Sequence, residues 1–302
     1  MSMRKAYSES LTGYLFLTPL LLIIVVFSLY PVVYSLFLSL HRIILSLPSL
    51  GETFVGIDNF VAFFTDPVGR NSLMVTLVFV GVSTALEICL GIMIALIIHE
   101  SFRCRSVVRA AILVPWAIPT VIASQMWRFA FNDQYGIANY LVYGTNVAHY
   151  DAWLASPVSA LAVIILADVW KTSSFAALII LAGLQTIPDE LYEASKIDGA
   201  GAFQRFFKIT LPLLKPAILV ALLFRTMDAF RVFDLVFVMT QGGPGDATNV
   251  LQFYGYRKLF AEGMVGYGSA VSIVVFLLVF SVSIIYLKFI GTGILEKKEA
   301  RA

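Results

Sequence analysis

Seven ionisable residues stand inside runs of apolar sequence: Glu87, Asp168, Lys171, Arg225, Asp228, Arg231 and Asp234. Asp168 and Lys171 are three apart, so a helix makes them neighbours on one face. Arg225, Asp228, Arg231 and Asp234 recur every third position and alternate in sign. At 3.6 residues per turn each step rotates only about −60°, which predicts a self-neutralising ladder along one side of one helix. Charge in apolar surroundings is costly unless it is paired or faces a cavity. Two chemistries stay open. The groups pair with one another and hold helices together, or they line a polar cavity for a hydroxyl-rich ligand, to which charged side chains make strong directional hydrogen bonds. No nucleophile stands beside a base, and serines within such runs serve helix packing more often than catalysis. His41, His99 and His149 are scattered, which speaks against a metal site. Cys89 and Cys104 suggest neither a disulfide framework nor a metal centre.

The elements that must position these groups follow from composition. The chain has 302 residues, 59% hydrophobic and 13% charged, with a mean hydropathy of +0.87. Soluble domains carry roughly 25% charged residues. The apolar excess falls in blocks, which excludes a soluble enzyme and a disordered chain and leaves an all-α integral membrane protein. A crossing helix needs about 20 apolar residues. Six candidates satisfy this, near 14–36, 73–98, 110–131, 158–184, 217–239 and 268–289. Pro115 and Pro119 interrupt the third, which membrane helices tolerate when neighbours satisfy the freed carbonyls. The first is too long for a signal peptide and has no small-residue cleavage site, so it reads as an anchor.

Lys and Arg in the loops set the orientation. One side carries thirteen: Arg4, Lys5, Arg103, Arg105, Arg109, Lys196, Arg205, Lys208, Lys215, Lys288, Lys297, Lys298 and Arg301. The other carries four: Arg42, Arg70, Arg257 and Lys258. Both termini are therefore expected in the cytoplasm. The external loops, about 40–70, 132–157 and 240–267, hold turn formers such as Gly242-Gly243-Pro244-Gly245. Trp116, Trp127, Trp153 and Trp170 suit membrane interfaces or packing. There is no internal repeat of the kind many secondary transporters carry.

The cytoplasmic segment 185–212 is too patterned for a bare connector. Thr186 is expected to cap a helix, Pro188 to fit its first turn, and Asp189 and Glu190 to favour its positive end. The pattern predicts a helix over 189–197 and a turn at Asp198-Gly199, where glycine supplies backbone freedom. It predicts a second helix over 202–208, with Phe203, Phe206 and Phe207 at helical spacing. Leu211-Pro212 is expected to end that helix and open the fifth span. The product is a helix–turn–helix under the membrane, with an amphipathic hairpin resting on lipid headgroups as the alternative.

Within this segment Glu193-Ala194-Ser195, then Gly199, then Ile209, then Leu211-Pro212 resembles the EAA motif of permease subunits in binding-protein-dependent ABC importers. The third position departs, with Ser195 where the motif has Ala, and both are small. Ile209-Thr210-Leu211-Pro212-Leu213-Leu214 and Phe230-Arg231-Val232-Phe233-Asp234, followed by Met239-Thr240-Gln241-Gly242-Gly243-Pro244, look like sugar permeases of the maltose/trehalose type. The resemblance covers about 71–289.

The resemblance implies an organisation of 1–70 as anchor helix and first external loop, 71–290 as permease core, and 291–302 as a cytoplasmic tail. It implies that the hairpin docks on an ATP-binding subunit through Glu193, Ala194, Ser195, Asp198, Gly199, Phe203, Phe206, Leu211 and Pro212. It implies a sugar path along Lys171, Thr172 and Phe175 and along Arg225, Asp228, Ala229 and Val232. It implies a second, different permease chain, two ATP-binding subunits and an external sugar-binding protein, in the cytoplasmic membrane of a bacterium or archaeon. No G-x-x-x-x-G-K-[ST] loop occurs here, so ATP and Mg are expected in the partners and no cofactor in this chain. An ion-coupled secondary transporter, or a permease for glycerol phosphates or other oligosaccharides, is the alternative. The nearly balanced intramembrane charge favours a neutral sugar over a phosphorylated one.

Overall fold

A computed structural model describes the backbone from Met3 to Glu299 and the side chains of residues 14–49 and 51–288. The side chains of Arg4, Lys5, Lys297, Lys298 and the rest of the 291–302 tail, and Arg301 altogether, lie outside the described residues. The helices are α1 (Met3–Ile24), α2 (Tyr30–Ser39), α3 (Asp58–Thr65), α4 (Pro67–His99), α5 (Arg105–Ala117), α6 (Thr120–Ala130) and α7 (Ile137–Tyr143). They continue as α8 (Pro157–Leu184), α9 (Asp189–Ile197), α10 (Ala202–Arg205), α11 (Leu211–Ala229), α12 (Asp234–Met239), α13 (Leu251–Tyr256) and α14 (Val265–Glu299). A two-residue ladder, β1 (His41–Arg42) against β2 (Thr53–Phe54), is antiparallel.

Among the described residues, five helical stretches are long and apolar enough to cross a membrane: Tyr14–Ser39, Pro67–His99, Pro157–Leu184, Ala202–Ala229 and Val265–Lys288. The expected third span is a broken one. Helices α5 and α6 meet at 89°. Proline disfavours helical backbone in the residue before it, and Ile118, before Pro119, is extended with ψ 130°. Pro115 stays inside α5. The chain is thus a multi-pass, all-α membrane protein.

The fifth span also departs from expectation. The continuous stretch begins at Ala202 and ends at Ala229, and α12 is a separate short helix. The amides of Arg231 and Val232 donate to Asp228 and Ala229 in tight closing turns (2.9 and 3.2 Å). Phe230, Val232 and Phe233 are poor helix formers, which helps the helix stop there. The predicted ladder of four charges on one helix is therefore cut after Asp228.

The chain divides into two compact units. The first comprises residues 1–66 and 255–274. Its Asn59 amide donates to the carbonyls of Ser39 (2.8 Å) and His41 (3.0 Å). Gly266 runs against the His41 carbonyl so closely that a side chain there would overlap it.

The second unit comprises residues 67–254 and 275–302. Helices α4, α8 and α11 meet through small residues, as membrane helices commonly do. A Cβ on Gly91 would stand 3.0 Å from that of Ala176, and one on Gly183 would overlap that of Ala217. Two buried apolar layers result. One gathers Phe79, Val80, Ile164 and Val236. The other gathers Ile88, Ala95, Ile180 and Leu214. Along each helix the buried charges fall between these layers. At the far end of α4, Arg105 donates to the carbonyls of Ile98 (2.8 Å) and His99 (2.6 Å), and Arg109 donates to Ile98 (3.0 Å). These carbonyls have no partner within their own helix, and cations suit the negative end of its dipole.

Candidate functional site

The ionic layer is built from three helices. Glu87 of α4 is fully buried and Arg225 of α11 is 2% exposed. Arg225 Nε donates to Glu87 Oε2 (2.6 Å) and Nη2 donates to Oε1 (2.9 Å). Its Nη1 donates to Asp228 Oδ2 (2.6 Å). Asp168 Oδ2 lies 3.5 Å from Nη2. Thr172 Oγ1 lies 2.9 Å from Glu87 Oε1 and 2.6 Å from the Asp168 carbonyl oxygen. One guanidinium thus serves three carboxylates. Its planar fork suits this work, because two parallel bonds to Glu87 fix its orientation.

A cavity of about 260 Å³ opens beside this layer. Trp116 and Thr120 line it at the α5–α6 break, Asp168, Lys171 and Thr172 from α8, and Asp228 from the end of α11. The unwound stretch after α11 contributes Arg231, Val232 and Phe233, and α12 contributes Asp234 and Leu235. The helix break leaves carbonyls without intrahelical partners. Lys171 Nζ donates to one of them, Trp116 O, at 3.1 Å. Irregular backbone at membrane depth is tolerated where it lines a cavity, and both interruptions do so here. The indole of Trp116 stacks on Phe175 with centroids 5.7 Å apart, and Phe175 meets Phe224 edge-on at 6.3 Å.

The expected path residues fall into two groups. Lys171, Thr172, Asp228 and Val232 line the cavity. Phe175 lies one turn further along α8, stacked on a cavity residue. Arg225 stands behind the wall, and Ala229 packs into the first apolar layer. Trp116, Thr120, Phe233 and Leu235 were not foreseen. The sequence carried a signal for the first two, since Pro119 marks the break that delivers them. Asp168, Arg231 and Asp234 were singled out as charges but not placed on the path.

The segment 185–212 takes the expected helix at 189–197 and a sharp turn. Gly199 adopts φ +79°. The Gly199 amide donates to Lys196 O (3.1 Å) and the Ala200 amide to Ser195 O (2.9 Å). These are the two bonds of a Schellman C-cap, with the glycine at its left-handed position. Arg205 Nη1 donates to Ala200 O (2.8 Å), and the hydroxyls of Tyr192 and Thr210 are 3.0 Å apart. Ser195 is buried and its hydroxyl donates to Tyr192 O (2.8 Å).

Two local expectations are corrected. Thr186 does not cap α9: its hydroxyl donates backwards to Gly183 O (2.8 Å), and Pro188 takes the N-cap position. Leu211-Pro212 does not end the second helix. A π stretch over Phe206–Thr210 joins α10 to α11, and the Leu211 amide donates to Phe206 O. Pro212 has no amide hydrogen, and the wider π turn accommodates a proline that would break regular pairing. Glu193, Ala194, Asp198 and Gly199 are exposed. Phe203 is 83% exposed and Ile197 87%, while Phe206 is half-buried. The segment is a stiff hairpin with an uncovered apolar tip.

Residues 87–290 match the family described as binding-protein-dependent transport system inner membrane component. The trehalose/maltose transport system permease protein MalF of Thermococcus litoralis is 45% identical over 282 residues, covering 93% of this chain and 94% of that one. The trehalose transport system permease protein SugA of Mycobacterium tuberculosis is 38% identical over 287 residues, covering 95% and 91%. A chain in the crystal structure of a bacterial alginate ABC transporter, in complex with an alginate pentasaccharide-bound periplasmic protein, shares the fold. Its TM-score is 0.78 at 21% identity, over 95% of this chain and 96% of that one. The chain belongs to the family of inner membrane components of binding-protein-dependent transport systems.

Proposed function

We propose that the chain is a permease subunit of an ATP-driven ABC importer that carries a neutral sugar, a disaccharide such as trehalose or maltose, into the cytoplasm. The observation that carries this reading is the cavity at the two helix interruptions. Its wall offers carboxylates, a hydroxyl, an ammonium and an indole, a mixture suited to the many donors and acceptors of a sugar and to its apolar ring faces. The similarity to permeases named for trehalose and maltose supports the choice of sugar.

The hairpin at 189–210 is the coupling element. Glu193, Ala194, Ser195, Asp198 and Gly199 form its docking core on an ATP-binding subunit, with Phe203 and Phe206 as apolar knobs. The continuous backbone from Ala202 into α11 supports this role, because a push on the hairpin reaches Arg225 along one helix. Two such ATP-binding subunits bind and hydrolyse ATP with Mg. An external binding protein delivers the sugar. A second, different permease faces this one across the path. In support, about 260 Å³ falls short of the roughly 300–1,000 Å³ of complete ligand sites. Both termini lie in the cytoplasm of a bacterium or archaeon, following the excess of Lys and Arg.

The test is uptake of radiolabelled trehalose and maltose into proteoliposomes holding the assembled importer, with its binding protein outside and ATP inside. Accumulation that requires both supports the reading. ATP-independent uptake driven by an ion gradient would return the chain to the secondary transporters.

A further inference from the structure

We infer that Glu87, which does not line the cavity, sets which charge the cavity wall presents, and so which substrates it admits. The lining holds Asp168, Asp228 and Asp234 against Lys171 and Arg231. Arg225, directly behind the wall, would cancel that acidic excess. Glu87 cancels Arg225 instead. Both of its oxygens engage the guanidinium, Oε2 to Nε at 2.6 Å and Oε1 to Nη2 at 2.9 Å.

The engagement also fixes direction. With two sides of the fork held by Glu87, Nη1 is left to meet Asp228 at 2.6 Å, and the contact to Asp168 stays long at 3.5 Å. Asp168 Oδ2 accepts no hydrogen bond, although the residue is only 7% exposed. Buried polar atoms are ordinarily satisfied, and Asp168 lines the cavity. Oδ2 itself is enclosed beside Arg225, so the cavity meets only the remaining exposed tenth of the side chain, which offers an acceptor to a hydroxyl donor and repels an anion. Glu87 Oε1 also meets Thr172 Oγ1 at 2.9 Å, tying a third lining residue to the same hub. Glu87 is thus a positioning residue, acting on Asp168 and Asp228 through Arg225. Its consequence is selection of hydroxyl-rich neutral ligands over anionic ones. The step from charge to substrate class rests on the proposed sugar path, and the charge itself does not.

The experiment places a reporter cysteine at the wall, Thr120→Cys, with Cys89 and Cys104 replaced by Ser. The full chain is co-expressed with its partner subunits in membranes. Its modification rates by trimethylammonium and sulfonate methanethiosulfonates are compared, without any sugar. The lining carries one more acid than base, and a single net charge about 8 Å away in water favours a cation over an anion about fivefold, so the cation is expected to outpace the anion by that order, relative to a free thiol. Glu87→Asp keeps the charge but shortens the reach. Positioning predicts that its cation/anion ratio falls about threefold or more, with Glu87→Gln lower still. A wild-type ratio in Glu87→Asp would overturn the inference. So would equal scaling of both rates, which is the mark of a merely structural role. Should the importer move no sugar, the proposed function fails while this ratio still reports on Glu87.

Discussion

The ionic layer and the hairpin at 189–210 both depend on charge and on a broken helix, in opposite ways. In the layer, charges are buried and define a site: Glu87, Asp168 and Arg225 come from three helices 57 to 138 residues apart in sequence. In the hairpin, Glu193, Lys196 and Asp198 are exposed, and backbone caps hold the shape. Breaking the first should cost stability and breaking the second should cost coupling. The contrast teaches that similar residue types serve as a mortar where water is absent and leave a free charged face where it is present.

The largest effect expected is from Arg225→Gln, which leaves buried Glu87 and Asp168 without their cation. Removing one partner of a buried pair costs about 3–5 kcal/mol, read as a lowered melting temperature in detergent; an unchanged melt would place the layer among ornamental charges. Next is Lys171→Met, which keeps length but strips the donor from Trp116 O. A hydrogen bond from a charged donor is worth about 1.5–3 kcal/mol, and protease cleavage near the α5–α6 break should rise. Gly199→Val places a branched side chain at φ +79°, a conformation costing about 1–2 kcal/mol. Space is not the obstacle there, since nothing lies within 4 Å of an added Cβ. Insertion should stay at wild type and the melt should fall by only about 2–8 °C while sugar uptake collapses; full uptake would remove the hairpin from coupling. Tyr192→Phe, which deletes the hydroxyl facing Thr210, should cost about 0.5–1.5 kcal/mol and show as faster amide exchange confined to the hairpin.

Legibility in the sequence follows the range of the interactions. Helix α9 and its glycine stop were readable because a Schellman cap involves only residues 195–200. The fourth span, expected over 158–184, lies almost on α8 (Pro157–Leu184), because its apolar run has clear ends. The ladder on the fifth span failed for a tertiary reason. Asp228 meets Arg225, but Arg225 gives its other hydrogen bonds to Glu87 and stands 3.5 Å from Asp168, and the helix stops before Arg231. No periodicity within one span shows that a single glutamate on α4 will claim an arginine on α11. Two arginines were legible as an orientation signal but not as caps: Arg105 and Arg109 also close the end of α4. The cavity was half legible, because prolines announce a break without saying which helix fills it.

The most direct test of the account is to purify the tagged chain from its native host in mild detergent and identify by mass spectrometry what accompanies it, beside the same preparation of Gly199→Val. The account predicts stoichiometric recovery of an ATP-binding subunit and a second permease with the wild-type chain, and loss of the ATP-binding subunit but not the permease with the variant. Recovery of the wild-type chain alone, under conditions that keep a known ABC importer intact, would contradict it.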